Sequence, residues 1–237
     1  MPPIIHFERA ELEQRIANAK KAMLEQKLDA LVLFNQDSLY YLAGFDNSGW
    51  VFFQCAVLTP DSQPITLVCR PPDVEQAKRL SIIEDIRVWR DAEGYNPADA
   101  LREVLQEKGV KGGRIGIELD THGITGHNYA RVQQSLAGFG ELVDGSSIVR
   151  NLRIIKSPAE IAYHRKAAEL LDKGVVAMLE TAGPGVFEGD IIAAGMAASI
   201  SGGADIGRGV LGSGDRALLV RPSTGYMTLK PVDQLTI

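Results

Sequence analysis

Hydrophobic positions in the first part of the chain follow two alternating periods. Residues 11–27 repeat apolar side chains at the spacing of an amphipathic helix. Short apolar runs then predict buried strands at 29–34, 50–59, 64–69, 85–89 and 114–118. Helical periods are predicted at 36–42, 72–80, 97–108 and 126–137. This alternation predicts an α/β domain, a mixed sheet flanked by helices.

The pattern changes near residue 150. A helix start is predicted at Ser157, which is a preferred N-cap residue and is followed by Pro158 at the first helical position and Glu160 at the third. One apolar face then continues for about six turns. A glycine-rich turn separates this helix from a second one at 190–200, and strands are predicted at 209–220 and 232–237. We therefore predict two domains, residues 1–150 and 151–237. The last strand has no turn or cap after it, so we expect the second domain to be truncated. A partner chain that completes the sheet is the alternative.

Composition and charge exclude several classes of protein. A net charge of -5 and a pI near 5.5 argue against a nucleic-acid partner, which would require a basic face. No apolar run approaches the roughly 20 residues of a membrane span, and the N-terminus lacks a signal-peptide pattern. Cys55 and Cys69 lie in separate apolar runs, which favours two buried free thiols over the alternative of a disulfide between them. We expect a cytoplasmic protein without a membrane partner.

Four stretches of the chain carry a family resemblance. They are NQDSLYYLAGFD at 35–46, LRIIKSPAEI at 152–161, PGVFEGDI at 184–191 and GSGDRAL at 212–218. Each is weak by itself, but in this order and spacing the set resembles the creatinase/prolidase/aminopeptidase P family. The resemblance implies an α/β N-terminal domain followed by an α+β "pita-bread" domain, here incomplete, whose cleft holds the active site.

The resemblance also implies a cofactor and an assembly. Metallopeptidase members bind two divalent metal ions, such as Mn, Co or Zn, through two Asp, one His and two Glu, and such a pair activates water. All five positions are expected after Ile237, so we assign no metal ligand and no cofactor to this chain, and we expect the chain by itself to be inactive. Dimers in the family commonly bring the partner's N-terminal domain over the cleft, so a homodimer is expected.

One family catalytic position falls inside the chain, and it departs from the pattern. The strand that begins with Ser-Gly usually ends in Pro-His, whereas Val220 and Arg221 stand here. An arginine remains protonated and cannot act as a base, but it binds carboxylates in a bidentate manner. We expect Arg221, Asp215 and Arg216 to line a substrate pocket. A surface salt bridge is the alternative role for Arg221.

The resemblance therefore implies a hydrolase of C–N bonds, either Xaa-Pro peptidase-like or similar to creatinase and ectoine hydrolase. Its substrate would be a small peptide or a small carboxylated amide or amidine. A binding module that keeps the peptidase-like fold without catalysis is the alternative. Among the aromatic residues near Gly44 and Gly49, packing is the default role, but Phe45 and Trp50 are candidate substrate-wall residues.

The histidines have local explanations. His164 falls on the apolar face of the long helix, which predicts a packed histidine. His122 and His127 flank glycines in a turn and lack a third ligand nearby, so we interpret them as loop residues.

Overall fold

The computed structural model describes residues 3–205, 211–219, 225 and 227–236. The chain divides into two compact units, Met1–Ile155 and Lys156–Ile237, here called unit 1 and unit 2. Unit 1 is built around a mixed six-stranded sheet, and unit 2 around a helix pair.

Unit 1 alternates strands and helices, as its hydrophobic pattern predicts. The strands are β1 (Ala30–Leu33), β2 (Cys55–Leu58), β3 (Thr66–Cys69), β4 (Asp85–Val88), β5 (Arg114–Ile117) and β6 (Glu141–Asp144). The helices are α1 (Arg9–Glu25), α2 (Gln36–Ala43), α3 (Asp73–Leu80), α4 (Pro97–Glu107), α5 (Gly126–Ser135) and α6 (Ser147–Ile154). The predicted mixed sheet flanked by helices is therefore confirmed.

The sheet has the strand order β4-β3-β2-β1-β5-β6. Strands β1, β2 and β3 pair antiparallel, and the predicted hairpin joins β2 to β3. Strands β4, β5 and β6 add to this meander in parallel pairs: β4 to β3, β5 to β1 and β6 to β5. The carboxyl ends of β1, β5 and β6 consequently meet at one edge, where α2, α5 and α6 begin after them.

Both faces of the sheet are covered, because the central strands are buried at every position. Ala30 and Val32 point to one face, where they pack with Leu101 of α4 and Val132 of α5. Their neighbours in β1 alternate to the opposite face. This two-sided burial explains why the strands read as continuous apolar runs.

The two cysteines are buried free thiols, as predicted. Cys55 pairs with Val68 across β2 and β3, so Cys69 is one position along and points to the other face of the sheet. Burial raises the pKa of both thiols, that of Cys69 to about 12. Both side chains therefore act as small core residues.

Unit 2 begins with α7 (Pro158–Thr181), followed by α8 (Glu188–Ser201). The predicted helix start is present as a capping box between Ser157 and Glu160. The helices cross closely at two glycines: a Cβ on Gly174 would lie 2.4 Å from Ser199 Oγ, and one on Gly195 would lie 2.4 Å from Met178 Cγ. Two short strands, β7 (Gly212–Ser213) and β8 (Leu235–Thr236), pair antiparallel beside this helix pair.

Candidate functional site

The turn after β7 contains two of the residues predicted to line a substrate pocket. A strand was expected through 209–220, but residues Gly214–Leu218 form a 3-10 helix. Gly214 adopts φ +55°, a left-handed conformation that glycine tolerates, and its amide donates to Gln234 O at 3.0 Å. The strand prediction is therefore wrong at this point, because Gly214 turns the chain immediately after Ser213.

The side chains of the two predicted residues on this turn differ in exposure. Asp215 is exposed, whereas the side chain of Arg216 keeps 22% of its surface exposed and contacts Glu188. The third predicted residue, Arg221, lies outside the described residues. Asp215 and Arg216 are thus consecutive residues of one turn, and only Arg216 contacts the buried carboxylate.

Glu188 contacts residues on both sides of this turn. The sequence pattern predicts no role for it beyond its place in the PGVFEGDI stretch. It is the first residue of α8 and is fully buried. Its Oε1 accepts hydrogen bonds from the amide and hydroxyl of Ser213, at 3.1 and 2.7 Å. Its Oε2 accepts from Arg216 at 3.1 Å, and from the amides of Gly225 and Met227 at 3.2 and 3.3 Å.

The local sequence explains how Glu188 reaches this position. The Gly183-Pro184-Gly185 turn ends α7, and the backbone then pairs with 227–229: the amide of Glu188 donates to Met227 O and that of Leu229 donates to Val186 O. Beneath the turn, Ile191 packs with Leu211 and Leu229. Five donors around one buried carboxylate favour its ionised form, which has only acceptor oxygens.

The aromatic residues of unit 1 separate into packed and surface positions. Phe45 is fully buried, so it contributes to the core and not to an accessible surface. Trp50 is half-buried in a short 3-10 helix, where a strand was expected, and Val51 and Phe52 beside it are 58% and 48% exposed. Of the two predicted wall residues, only Trp50 therefore retains exposed surface.

A polar network holds this loop of unit 1. Asn47 and Gln54 exchange two hydrogen bonds of 3.1 Å, and Asn47 Nδ2 also donates to Asp73. Gly49 packs directly on them, because a Cβ there would lie 2.6 Å from Gln54 Oε1. The ring of Phe52 lies 4.0 Å from the guanidinium carbon of Arg70, a cation–π contact. These contacts therefore hold the loop that carries the exposed side chains of Val51 and Phe52.

A second buried carboxylate lies at the shared edge of the parallel strands in unit 1. Glu118 accepts hydrogen bonds from the amides of Phe34 and Asn35 and from the hydroxyl of Ser38. Burial raises its pKa to about 7, although these hydrogen bonds and the nearby charge of Arg153 act in the opposite direction. Through these contacts Glu118, which follows β5, closes the junction between β1 and α2.

The described residues contain no candidate metal centre. No three His, Cys, Asp or Glu side chains among them come together in a way that could hold a metal ion. The described part of the chain thus does not fit a metal pair. His122 and His127 are exposed. His164 is exposed as well, so its predicted packed position is wrong: every residue of α7 from 161 to 169 is exposed, whichever face of the helix it lies on.

Across the part of the chain that the structure describes, no helix combines the length and the apolar character required to cross a membrane.

Known proteins share both the sequence pattern and the fold. An uncharacterized hydrolase/peptidase of Sinorhizobium fredii is 28% identical over 207 residues, covering 84% of this chain and 52% of the relative. The ectoine hydrolase of Halomonas elongata is 26% identical over 195 residues, covering 78% of this chain and 48% of the relative. The chain therefore spans about half the length of these curated relatives.

The solved structure of an Xaa-Pro dipeptidase from Bacillus anthracis superposes with a TM-score of 0.76 at 21% identity. The match covers 94% of this chain and 59% of the dipeptidase, so the two share a fold that extends through both units and includes part of the pita-bread domain. The sequence profile described as the Creatinase/Prolidase N-terminal domain matches residues 15–155. The chain belongs to the creatinase/prolidase family.

Proposed function

We propose that this chain is part of a hydrolase that cleaves a C–N bond in a small carboxylated substrate, either an Xaa-Pro dipeptide or an amide or amidine. Relatives of the chain bear the names ectoine hydrolase and Xaa-Pro dipeptidase, which supports hydrolysis of this bond class. The observation that carries the proposal is the contact between two of the four family-like stretches: Arg216, on the turn with Asp215, binds the buried carboxylate of Glu188.

In this proposal, residues 1–150 are the N-terminal domain, and residues 151–237, which include unit 2, are the first part of the catalytic domain. Arg216, Asp215 and Arg221 line the substrate pocket. The two arginines supply positive charge for a substrate carboxylate, which guanidinium groups bind in a bidentate manner. Arginine cannot serve as the general base, so the proton transfers of the reaction belong to other groups.

Unit 1 is proposed to contribute a wall of the pocket in a homodimer. Trp50 is the candidate residue, and its loop is supported by the Asn47, Gln54 and Asp73 network. A rigid, partly exposed aromatic loop suits this role because little conformational entropy is lost when it contacts a ligand.

A substrate panel tests the proposed function. Purified protein at its natural length is incubated with Ala-Pro, creatine and ectoine, with and without added Mn²⁺, and the products are separated by chromatography. We expect cleavage of at least one C–N bond. A folded protein that binds but does not cleave any member of the panel would instead support the alternative of a non-catalytic binding module.

The same panel tests the 237-residue chain by itself. We propose that this chain is inactive by itself, because none of its residues is assigned to the two Asp, one His and two Glu that the family resemblance implies as metal ligands. The natural-length protein, measured in parallel, is the control. Hydrolysis by the 237-residue chain at a comparable rate would contradict the proposal.

A further inference from the structure

The carboxylate of Glu188 is a buried charge with an unusually large set of partners. Isolated charges are very costly to bury, so a side chain in this position requires compensation from hydrogen bonds or an opposite charge. Glu188 has both, because four neutral donors and one guanidinium contact its two oxygens. An apolar side chain at this position would leave these donors without an acceptor.

The partners of Glu188 are concentrated around the candidate site. Ser213 precedes the turn that contains Asp215, and Arg216 belongs to the turn itself. Gly225 and Met227 supply their amides from the other side of Glu188. One carboxylate thus fixes both the backbone before the turn and the guanidinium on it.

We propose that Glu188 is a positioning residue: it fixes the turn at 213–216 and, through it, directs the guanidinium of Arg216 toward the carboxylate of the substrate. The role of Glu188 in directing Arg216 toward a substrate rests on the proposed function, whereas its role in fixing the turn does not. Because four neutral donors also contact Glu188, Arg216 is not the sole compensation for its buried charge.

Amide hydrogen exchange of the wild-type 237-residue chain tests whether Glu188 fixes the turn, without any assay of activity. We expect the amides of Ser213, Gly225 and Met227 to be protected, since each donates to the buried carboxylate. The exposed turn residue Asp215 serves as an internal reference, and its amide should exchange faster. Exchange of Ser213, Gly225 and Met227 as fast as Asp215 would overturn the proposal.

Enzyme kinetics of the natural-length protein test whether Glu188 directs Arg216 toward the substrate carboxylate. The substrate is whichever of Ala-Pro, creatine or ectoine is turned over fastest, and it is compared with its own carboxamide. Glu188→Gln should raise KM for the carboxylate substrate about tenfold, the loss expected when a charge-assisted contact is misdirected. The KM of the carboxamide should change little. Glu118→Gln is the matched control, because it makes the same chemical change at a buried carboxylate that also accepts from a serine and from backbone amides.

A double variant separates positioning from a general structural role. If Glu188 acts through Arg216, then Glu188→Gln combined with Arg216→Gln should have the KM of Arg216→Gln alone, to within about twofold. Additive effects on KM, or an equal loss for the carboxylate and the carboxamide, would overturn the inference. If Glu188→Gln does not fold, Arg216→Lys provides the test: its KM for the carboxylate should rise while that for the carboxamide does not, because an ammonium cannot reproduce the forked contact.

Discussion

The hydroxyl of Ser38 donates a 2.6 Å hydrogen bond to Oε1 of Glu118, although the two residues are 80 positions apart in the sequence. The contact joins the first turn of α2 to the end of β5, beside the amides of Phe34 and Asn35. Glu118 is only 2% exposed, so its protonation is coupled to the stability of unit 1.

The stability of unit 1 should therefore fall as the pH rises through neutrality. The pKa of Glu118 rises from an ordinary 4.5 to about 7 on folding, so the folded state binds the proton more tightly than the unfolded state. The resulting contribution, up to about 3 kcal/mol, is fully present below pH 4.5 and is lost as the pH rises through 7. Glu118→Gln should flatten the pH dependence of the free energy of unfolding between pH 5 and 8. Unfolding by urea is followed by tryptophan fluorescence, which reports on unit 1 because both tryptophans lie there.

The control for this experiment is Glu75→Gln, whose side chain is 66% exposed in an ion pair with Arg79. Its pKa is lowered by Arg79, so it titrates below the window of interest. Parallel curves for wild type and Glu118→Gln between pH 5 and 8 would show that Glu118 does not titrate there.

The two aromatic residues predicted as pocket walls should respond differently to truncation. Phe45→Ala should lower the free energy of unfolding of unit 1 by about 3–5 kcal/mol, the usual cost of emptying a buried aromatic site. Trp50→Ala should cost much less, because its side chain is only half-buried, but it should raise KM in the natural-length enzyme. A Trp50→Ala enzyme with unchanged KM and kcat would remove Trp50 from the proposed pocket.

The crossing of α7 and α8 should not tolerate a methyl group. A Cβ on Gly195 would lie 2.4 Å from Met178 Cγ and 3.1 Å from the carbonyl oxygen of Gly174. Gly195→Ala should therefore destabilise unit 2 by about 1–3 kcal/mol, despite the higher helix propensity of alanine. The measurement is hydrogen exchange of α7 and α8 peptides by mass spectrometry.

Gly126 is the matched control, since it is also helical but a Cβ there meets nothing within 4 Å. Gly126→Ala should leave stability unchanged or increase it slightly. Equal protection of the α7 and α8 peptides in wild type and Gly195→Ala would contradict the close crossing.

Arg221→Ala should raise KM or lower kcat of the natural-length enzyme, because the proposed pocket would lose a cation for the substrate carboxylate. Arg165→Ala, at an exposed position of α7, provides the control for the loss of one positive charge. Identical kinetics for wild type and Arg221→Ala would favour the alternative role of Arg221 in a surface salt bridge.

Sequence pattern predicted most of unit 1 because its central strands are buried on both faces and are bounded by turns. It missed β6, an edge strand whose residues are partly or fully exposed and which therefore lacks an apolar run. It also extended a strand through Gly214–Leu218, where apolar residues follow a glycine that turns the backbone. Local periodicity detects burial, but it does not detect a left-handed glycine inside an otherwise apolar stretch.

The candidate site was only partly predictable, for a different reason. Asp215 and Arg216 were identified from a family-like stretch, but the partners of Glu188 lie 25 to 39 positions away along the chain. The donors to Glu118 are still farther away, at Phe34, Asn35 and Ser38. Buried carboxylates bind donors that no local pattern connects to them, so three-dimensional contacts were required to find them.

The arrangement around Glu188 also limits how segments of this protein can be recombined with those of its relatives. Because the start of α8, the turn after β7 and the amides of Gly225 and Met227 share one carboxylate, grafting any one of these segments alone would leave a buried charge or its donors unmatched. Chimeras should therefore exchange the region from the end of α7 to β8 as a single block.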